Sequence, residues 1–261
     1  RLQDGVIGDV YMARGIAFKL RQSRGPMVEE PVPAGLNWNA WVGPAPKQPY
    51  AQLKHRGWHN LWDFGNGEIG NQGIHQLDMM RWGLGIDTHP NRVQSMGGRF
   101  VHEDEGLETP NCQLFAFEYA GRNCLMQFEV RHWYTNHEAG MGDEFPFVDK
   151  RNTVGIIFFG TKGYMIIPDY SSFHTYLGPD RIPGPAKSDF TEPMMDVPHF
   201  ANFIEAVRSR DHTKLLADIE EGHKSCVLPH LANAAYRTGR TLEFDPATER
   251  CINDNEANEL L

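Results

Sequence analysis

The stretch Asn111-Cys112-Gln113-Leu114-Phe115-Ala116-Phe117-Glu118-Tyr119-Ala120-Gly121-Arg122-Asn123-Cys124-Leu125-Met126-Gln127-Phe128-Glu129-Val130-Arg131-His132-Trp133 holds two extended apolar runs around Ala120-Gly121. Runs of this length that meet at a small-residue turn read as a β-hairpin, and strands joined by a tight turn are antiparallel. A second pair repeats the design: Thr153 to Phe159 and Tyr164 to Pro168 flank Thr161-Lys162-Gly163. Arg92 to Val101 reads as a further strand, and Gly5 to Phe18 as a strand entered from a short turn. Alternation is only partial in Gln113 to Glu118 and in Met126 to Val130, which suits a sheet with more than one buried surface. The expected architecture is α+β: an open, mostly antiparallel β-sheet of about five to seven strands with helices packed on one face.

Helical periodicity closes the chain. Phe200, Phe203, Ile204 and Val207 recur at i, i+3, i+4 and i+7, with Asp196 or the Pro198 turn as a start. A second helix is predicted from Ala217 to Arg237, with Gly239 as its stop and with Pro229 expected to bend or split it. Both are read as core-packing helices without chemistry. The 261 residues, 40% of them apolar, suffice for one substantial core, so residues 1–261 are taken as a single domain. A net charge of −9 disfavours nucleic acid or an anionic membrane as partner. No apolar run reaches the ~18 to 20 residues of a membrane span. The four cysteines show no Cys-x-x-Cys spacing; Cys112 and Cys124 fall in neighbouring strands, and free thiols are the expectation.

The chemistry gathers around Gly70-Asn71-Gln72-Gly73-Ile74-His75-Gln76-Leu77-Asp78. At 100° per residue, Asn71, His75, Asp78 and Trp82 fall on one side of a helix, with Ile74, Leu77, Met80 and Leu84 on another. An imidazole titrates near neutrality, so His75 is a candidate general acid or base, with Asp78 three residues on as a candidate orienter. Before this helix a long aromatic and proline-rich excursion runs from Arg24 to Glu68, too long for an ordinary connection and expected to form a pocket. Its segment Trp58-His59-Asn60-Leu61-Trp62 interleaves aromatic and hydrogen-bonding groups, which suits a sugar ring with its C–H faces and hydroxyls. His55 and His59 have i, i+4 spacing, but Gly57 lies between them and no cysteine or acid completes a set; no metal is expected there. Arg131, His132, Trp133 and Tyr134, with Asn136 and His137, form a second polar and aromatic cluster, whereas Lys150 and Arg151 read as surface charges.

Asn71-Gln72-Gly73-Ile74-His75-Gln76-Leu77-Asp78 resembles the Asp-x-Gly-x-His-x-x-Asp pattern of the Gfo/Idh/MocA oxidoreductases, departing from it at Asn71. The resemblance extends to Leu36-Asn37-Trp38-Asn39-Ala40-Trp41-Val42-Gly43-Pro44-Ala45-Pro46, to His199 through Val207, and to Leu231 through Arg240. It implies the C-terminal domain of that family, similar to the C-terminal domain of glyceraldehyde-3-phosphate dehydrogenase. No strand, glycine fingerprint and helix occur in succession, and there is no Glu-Lys-Pro, so the family's dinucleotide-binding domain is expected outside this chain. The implied activity is NAD- or NADP-dependent oxidation or reduction of a sugar, inositol or related polyol. In that reading His75 takes the hydroxyl proton as hydride leaves for the nicotinamide, Asp78 tunes the imidazole and Asn71 bonds the substrate. Trp38, Trp41, Trp58, His59, Trp62 and Arg131 are the implied substrate-binding residues. A relative that oxidises its sugar transiently and eliminates a substituent, with recycled NAD, keeps the same residues; a non-catalytic carbohydrate-binding or assembly domain is the third reading. The family also implies a homodimer or homotetramer formed through the sheet face. A cytoplasmic location is expected, or export by a leader outside this chain.

Overall fold

The central hairpin forms. In the computed structural model, which describes residues 2–136, 152–187 and 196–261, Cys112–Glu118 (β3) and Leu125–His132 (β4) pair antiparallel, with Phe115 opposite Phe128. His137, Lys150 and Arg151 lie outside the described residues. The pleat sends Gln113, Phe115 and Phe117 of β3 and Met126, Phe128 and Val130 of β4 to one buried face. Asn152–Gly160 (β5) and Gly163–Ile167 (β6) make the second hairpin, with Gly160 opposite Gly163.

Among the described residues these pairs belong to one ten-stranded sheet, completed by Val10–Lys19 (β1), Arg92–Gly98 (β2), Phe173–Leu177 (β7), Ile182–Lys187 (β8), Leu242–Asp245 (β9) and Arg250–Cys251 (β10). The order is β10-β9-β2-β3-β4-β1-β5-β6-β7-β8. All pairings are antiparallel except that of β1 with β4, because β1 enters the middle of the sheet ahead of the long excursion. The sequence reading undercounted the strands. Those it missed are short or carry prolines, such as Ile182-Pro183-Gly184-Pro185 in β8, and proline is tolerated on an edge strand because it need not donate to a ladder.

Helices Gly73–Leu84 (α4) and Ile219–Thr238 (α6) pack on the inner face. Leu77 and Met80 of α4 and Leu228, Leu231, Ala232 and Ala235 of α6 share one core with Phe115, Phe117, Phe128 and Phe158. Three short helices, Trp38–Val42 (α1), Gln52–Gly57 (α2) and Gly67–Asn71 (α3), lie in the excursion. Asp196–Ser209 (α5) precedes α6, and Asn255–Asn258 (α7) follows β10. The opposite sheet face carries a smaller cluster of Ile16, Phe18 and Ile166, bordered by Ile157, Tyr164 and Tyr176.

Four expectations change. The first strand begins at Val10, not at Gly5. The helix around His75 is two helices, α3 and α4, separated at Gln72 between the poor helix formers Gly70 and Gly73. α6 runs unbroken through Pro229, since Leu228, Leu231, Ala232, Ala234 and Ala235 bury its length against the sheet and outweigh the local cost. In α5 only Ala206 is buried; Phe200 is 62% and Phe203 52% exposed, so its apolar stripe is not core among the described residues. Periodicity reports that a face is apolar, not what covers it. All four cysteines are free, and β3 register places Cys112 opposite Arg131, away from Cys124.

Candidate active site

Gln72, at the N-cap of α4, and Gln76 and Met79 within that helix line a cavity of about 370 Å³. Its floor is Lys19 at the end of β1 with Asn152 and Val154 at the start of β5; its wall is Ile167, the last residue of β6, with Pro168 to Tyr170 beyond it. The 168–172 turn is stiff: Asp169 Oδ1 accepts from the backbone N–H groups of Ser171 and Ser172, both at 2.7 Å, and Asp169 also bonds the Ser172 hydroxyl. Burial alone would raise the Asp169 carboxyl, but these bonds outweigh it and keep it ionised below its ordinary range.

A connected polar network crosses the cavity. Lys19, 8% exposed, places Nζ 2.7 Å from Glu68 Oε1 and donates to Gln72 Oε1 at 2.9 Å. Gln72 Nε2 donates to the Tyr170 hydroxyl at 3.1 Å and reaches Gln76 Oε1 at 3.4 Å. Glu68 is buried beneath this network, with Arg21 at 3.4 Å and His132 Nε2 at 3.5 Å. Burial pushes the Glu68 carboxyl up; His132, Lys19 and Arg21 together pull it further down, well below the usual carboxylate range. At 3.5 Å the His132 contact is too long for a strong hydrogen bond, so Lys19 is the firm partner.

His75 does not line this cavity but stands against Tyr170, which does. Its ring is exposed and meets Tyr170 edge-on, with centroids 5.4 Å apart. Asn71 is exposed at the end of α3. Asp78 turns the other way: its Oδ1 accepts from Ser225 Oγ on α6 at 2.5 Å and lies 3.8 Å from Arg81. Among the described residues no hydrogen bond or ion pair joins Asp78 to His75, so the geometry gives this acid an anchoring place between α4 and α6. Arg81 completes that anchor through Ser225 and Glu221.

The aromatic residues of the excursion are not brought to the cavity. Trp38, 7% exposed, stacks on Trp41 at 4.5 Å, donates Nε1–H to the Gln48 carbonyl, and packs with Val42 and Tyr50 in a satellite core. His55 closes that cluster edge-on against Trp41. Trp62 lies over Tyr236 and under the Arg237 guanidinium at 5.0 Å, fixing the excursion to the end of α6. Trp58 is 47% exposed and meets His59, whose pKa is lowered by burial despite Glu68 nearby. Arg131 points to the opposite sheet face, 3.9 Å above the Phe18 ring. Within the excursion Trp38 and Trp41 pack with Tyr50 and His55, aromatic faces meeting one another away from the cavity.

The residues that sequence reasoning missed are Lys19, Gln72, Gln76 and Tyr170 of the cavity lining and Glu68, which holds Lys19 from beneath. Gln72 and Gln76 had a signal, the i, i+4 spacing that brackets His75. Lys19 and Glu68 each stand alone in apolar or glycine-rich surroundings, and their pairing depends on contacts 49 residues apart in sequence, 68 against 19.

The chain matches the family described as the oxidoreductase family, C-terminal alpha/beta domain, over residues 9–105 and 174–261. No curated protein sequence matches it. Among solved structures, levoglucosan dehydrogenase, in complex with NADH and levoglucosan, superposes with a TM-score of 0.59 at 12% identity over 93% of this chain and 60% of that one. The aldose-aldose oxidoreductase of Caulobacter crescentus, complexed with glycerol, gives 0.57 at 14% identity over 93% and 58%. The WlbA dehydrogenase of Bordetella pertussis, in complex with NADH and UDP-GlcNAcA, gives 0.54 at 16% identity over 94% and 58%. At these identities the likeness establishes a shared fold. The chain spans about three fifths of the length of these proteins.

Proposed function

Since this chain belongs to the Gfo/Idh/MocA oxidoreductase family, as its C-terminal α/β domain, we propose that it is the substrate half of an NAD- or NADP-dependent dehydrogenase of sugars, inositols or related polyols. The observation that carries this reading is the exposed His75 imidazole set against Tyr170, which lines a cavity together with an ammonium and three carboxamides. Amides and hydroxyls that both donate and accept suit a polyol, whose every hydroxyl does the same. Met79, Val154, Ile167 and Pro168 supply the apolar side that a ring's C–H face needs.

The described residues fit the substrate and not the dinucleotide: no strand passes through a glycine-rich turn into a helix that could hold a pyrophosphate. A nicotinamide, when bound by a separate nucleotide domain, supplies hydride acceptance and return. This chain's own part is proton transfer and positioning. His75 takes the proton of the hydroxyl being oxidised and gives it back in the reverse direction. Lys19, held by Glu68 and Gln72, directs an N–H toward the cavity and orients the reacting oxygen. Gln76, Tyr170 and Asn71 pair the remaining hydroxyls, and Asp78 holds α4 on α6 so that His75 keeps its place.

In the enzyme joined to its nucleotide domain, His75→Ala should lower turnover about 10² to 10⁴-fold, the usual worth of a general acid or base. Because His75 is exposed, the melting temperature and nucleotide affinity should stay those of the parent. Retained turnover in a folded, nucleotide-binding variant would overturn the assignment.

A further inference from the structure

A second cluster of chemistry-bearing side chains lies away from the cavity, where the connection from α4 to β2, the first half of α6 and the β9–β10 turn converge. His89, 5% exposed, places Nε2 2.9 Å from Glu249 Oε1. His223 of α6, on the solvent side, places Nε2 2.8 Å from the same oxygen. The two imidazoles stand perpendicular, centroids 5.6 Å apart, and the three donor atoms all lie within 4.8 Å of one another.

We infer that His89, His223 and Glu249 form a binding site for a divalent transition-metal ion, with zinc as the fitting occupant. The donor set is two imidazole nitrogens and a carboxylate oxygen, which suits zinc and not the all-oxygen preference of magnesium or calcium. Tetrahedral zinc with bonds of about 2.0 to 2.1 Å sets its ligands roughly 3.3 Å apart. The carboxylate oxygen therefore has to withdraw by about half an ångström from its present hydrogen-bonded position. Glu249 is free to do so, because its side chain is 45% exposed. His89 is the fixed ligand, wedged edge-on against Phe244. Water reaches the ion from the His223 side and fills the fourth position.

Affinity is limited by what stands behind His89. With zinc on Nε2 the ring proton sits on Nδ1, which is buried and has no hydrogen-bond partner. A carboxylate or carbonyl at that position is worth roughly 10 to 100-fold in metal affinity, so binding in the micromolar range is expected. The ion would tie α6 to the β9–β10 turn and to the connection entering β2, three segments far apart in sequence. It is a clip on the fold, remote from proton transfer at His75.

The test is zinc titration of the chelator-treated chain by calorimetry, with cobalt absorption as a report on geometry. A single saturable site is expected, with tetrahedral cobalt bands, no competition from magnesium, and a rise in melting temperature at saturating zinc. His223→Ala and Glu249→Gln should each weaken binding at least about 10-fold, the scale of losing a ligand or its support. His212→Ala, at another exposed histidine, should leave it unchanged. Both variants alter exposed side chains, and a melt without metal confirms that they fold. Absence of saturable binding by the parent, or parent-like binding by both variants, would overturn the site.

Discussion

Glu68, itself buried, holds Lys19 in one place at the edge of the cavity. Replacing it by glutamine leaves that ammonium buried without its counter-charge and should cost about 3 to 5 kcal/mol near neutral pH, measured by urea denaturation. The pH dependence carries a sign. A carboxyl held below its unfolded value, about 4.3, contributes stability in full above that pH and loses it as the pH falls toward the folded value. The gap between parent and Glu68→Gln should therefore narrow below about pH 4. A gap that stays constant on acidification would mean that the charge of Glu68 is not what matters. His75 was recognisable in the sequence because its neighbours carry a family pattern within eight residues. Glu68 and Lys19 were not, because a buried ion pair has no local spacing to betray it.

α4 packs closely on the sheet at Gly15 of β1. A Cβ on Gly15 of β1 would lie 2.5 Å from Phe128 Cδ2 and 3.0 Å from Met80 Cε. Phe128 cannot retreat, since Phe115 stacks on it at 5.4 Å. Gly15→Ala should therefore lower stability by about 1 to 3 kcal/mol through overpacking, read by denaturant unfolding; an unchanged midpoint would show that α4 has slack to move. The hairpins were readable as elements because a tight turn dictates antiparallel pairing with no outside help. The continuity of α6 through Pro229 and the break of the preceding helix at Gln72 were not. At Pro229 packing against the sheet overrides local propensity, whereas at Gln72 two flanking glycines weaken a helix whose apolar periodicity runs on past them.

The assembled fold leaves the sheet with two unequal faces. α4 and α6 cover one; on the other, Met96 is 68%, Phe100 64% and Leu114 37% exposed around a depression of about 360 Å³ that also includes Arg131. We propose self-association through this face, as a homodimer or homotetramer, because an apolar sheet surface of this kind is otherwise left in water. Met96→Glu with Leu114→Glu should convert the assembly to monomer in sedimentation velocity without lowering the melting temperature of the isolated fold. A monomeric parent at micromolar concentration would dismiss the idea. Among the described residues no helix is long and apolar enough to cross a membrane. The chain alone told the sheet's antiparallel character, the covering helices and the His75 element, since turns, periodicity and a short motif are properties of adjacent residues. Tertiary structure decided the parallel entry of β1, the packing of Trp38 and Trp41 in their own cluster, the turning of Asp78 to Ser225, and the network of Lys19, Glu68, Gln72 and Tyr170. Each of those is a contact between distant segments, and its energy exists only once the sheet has brought them together.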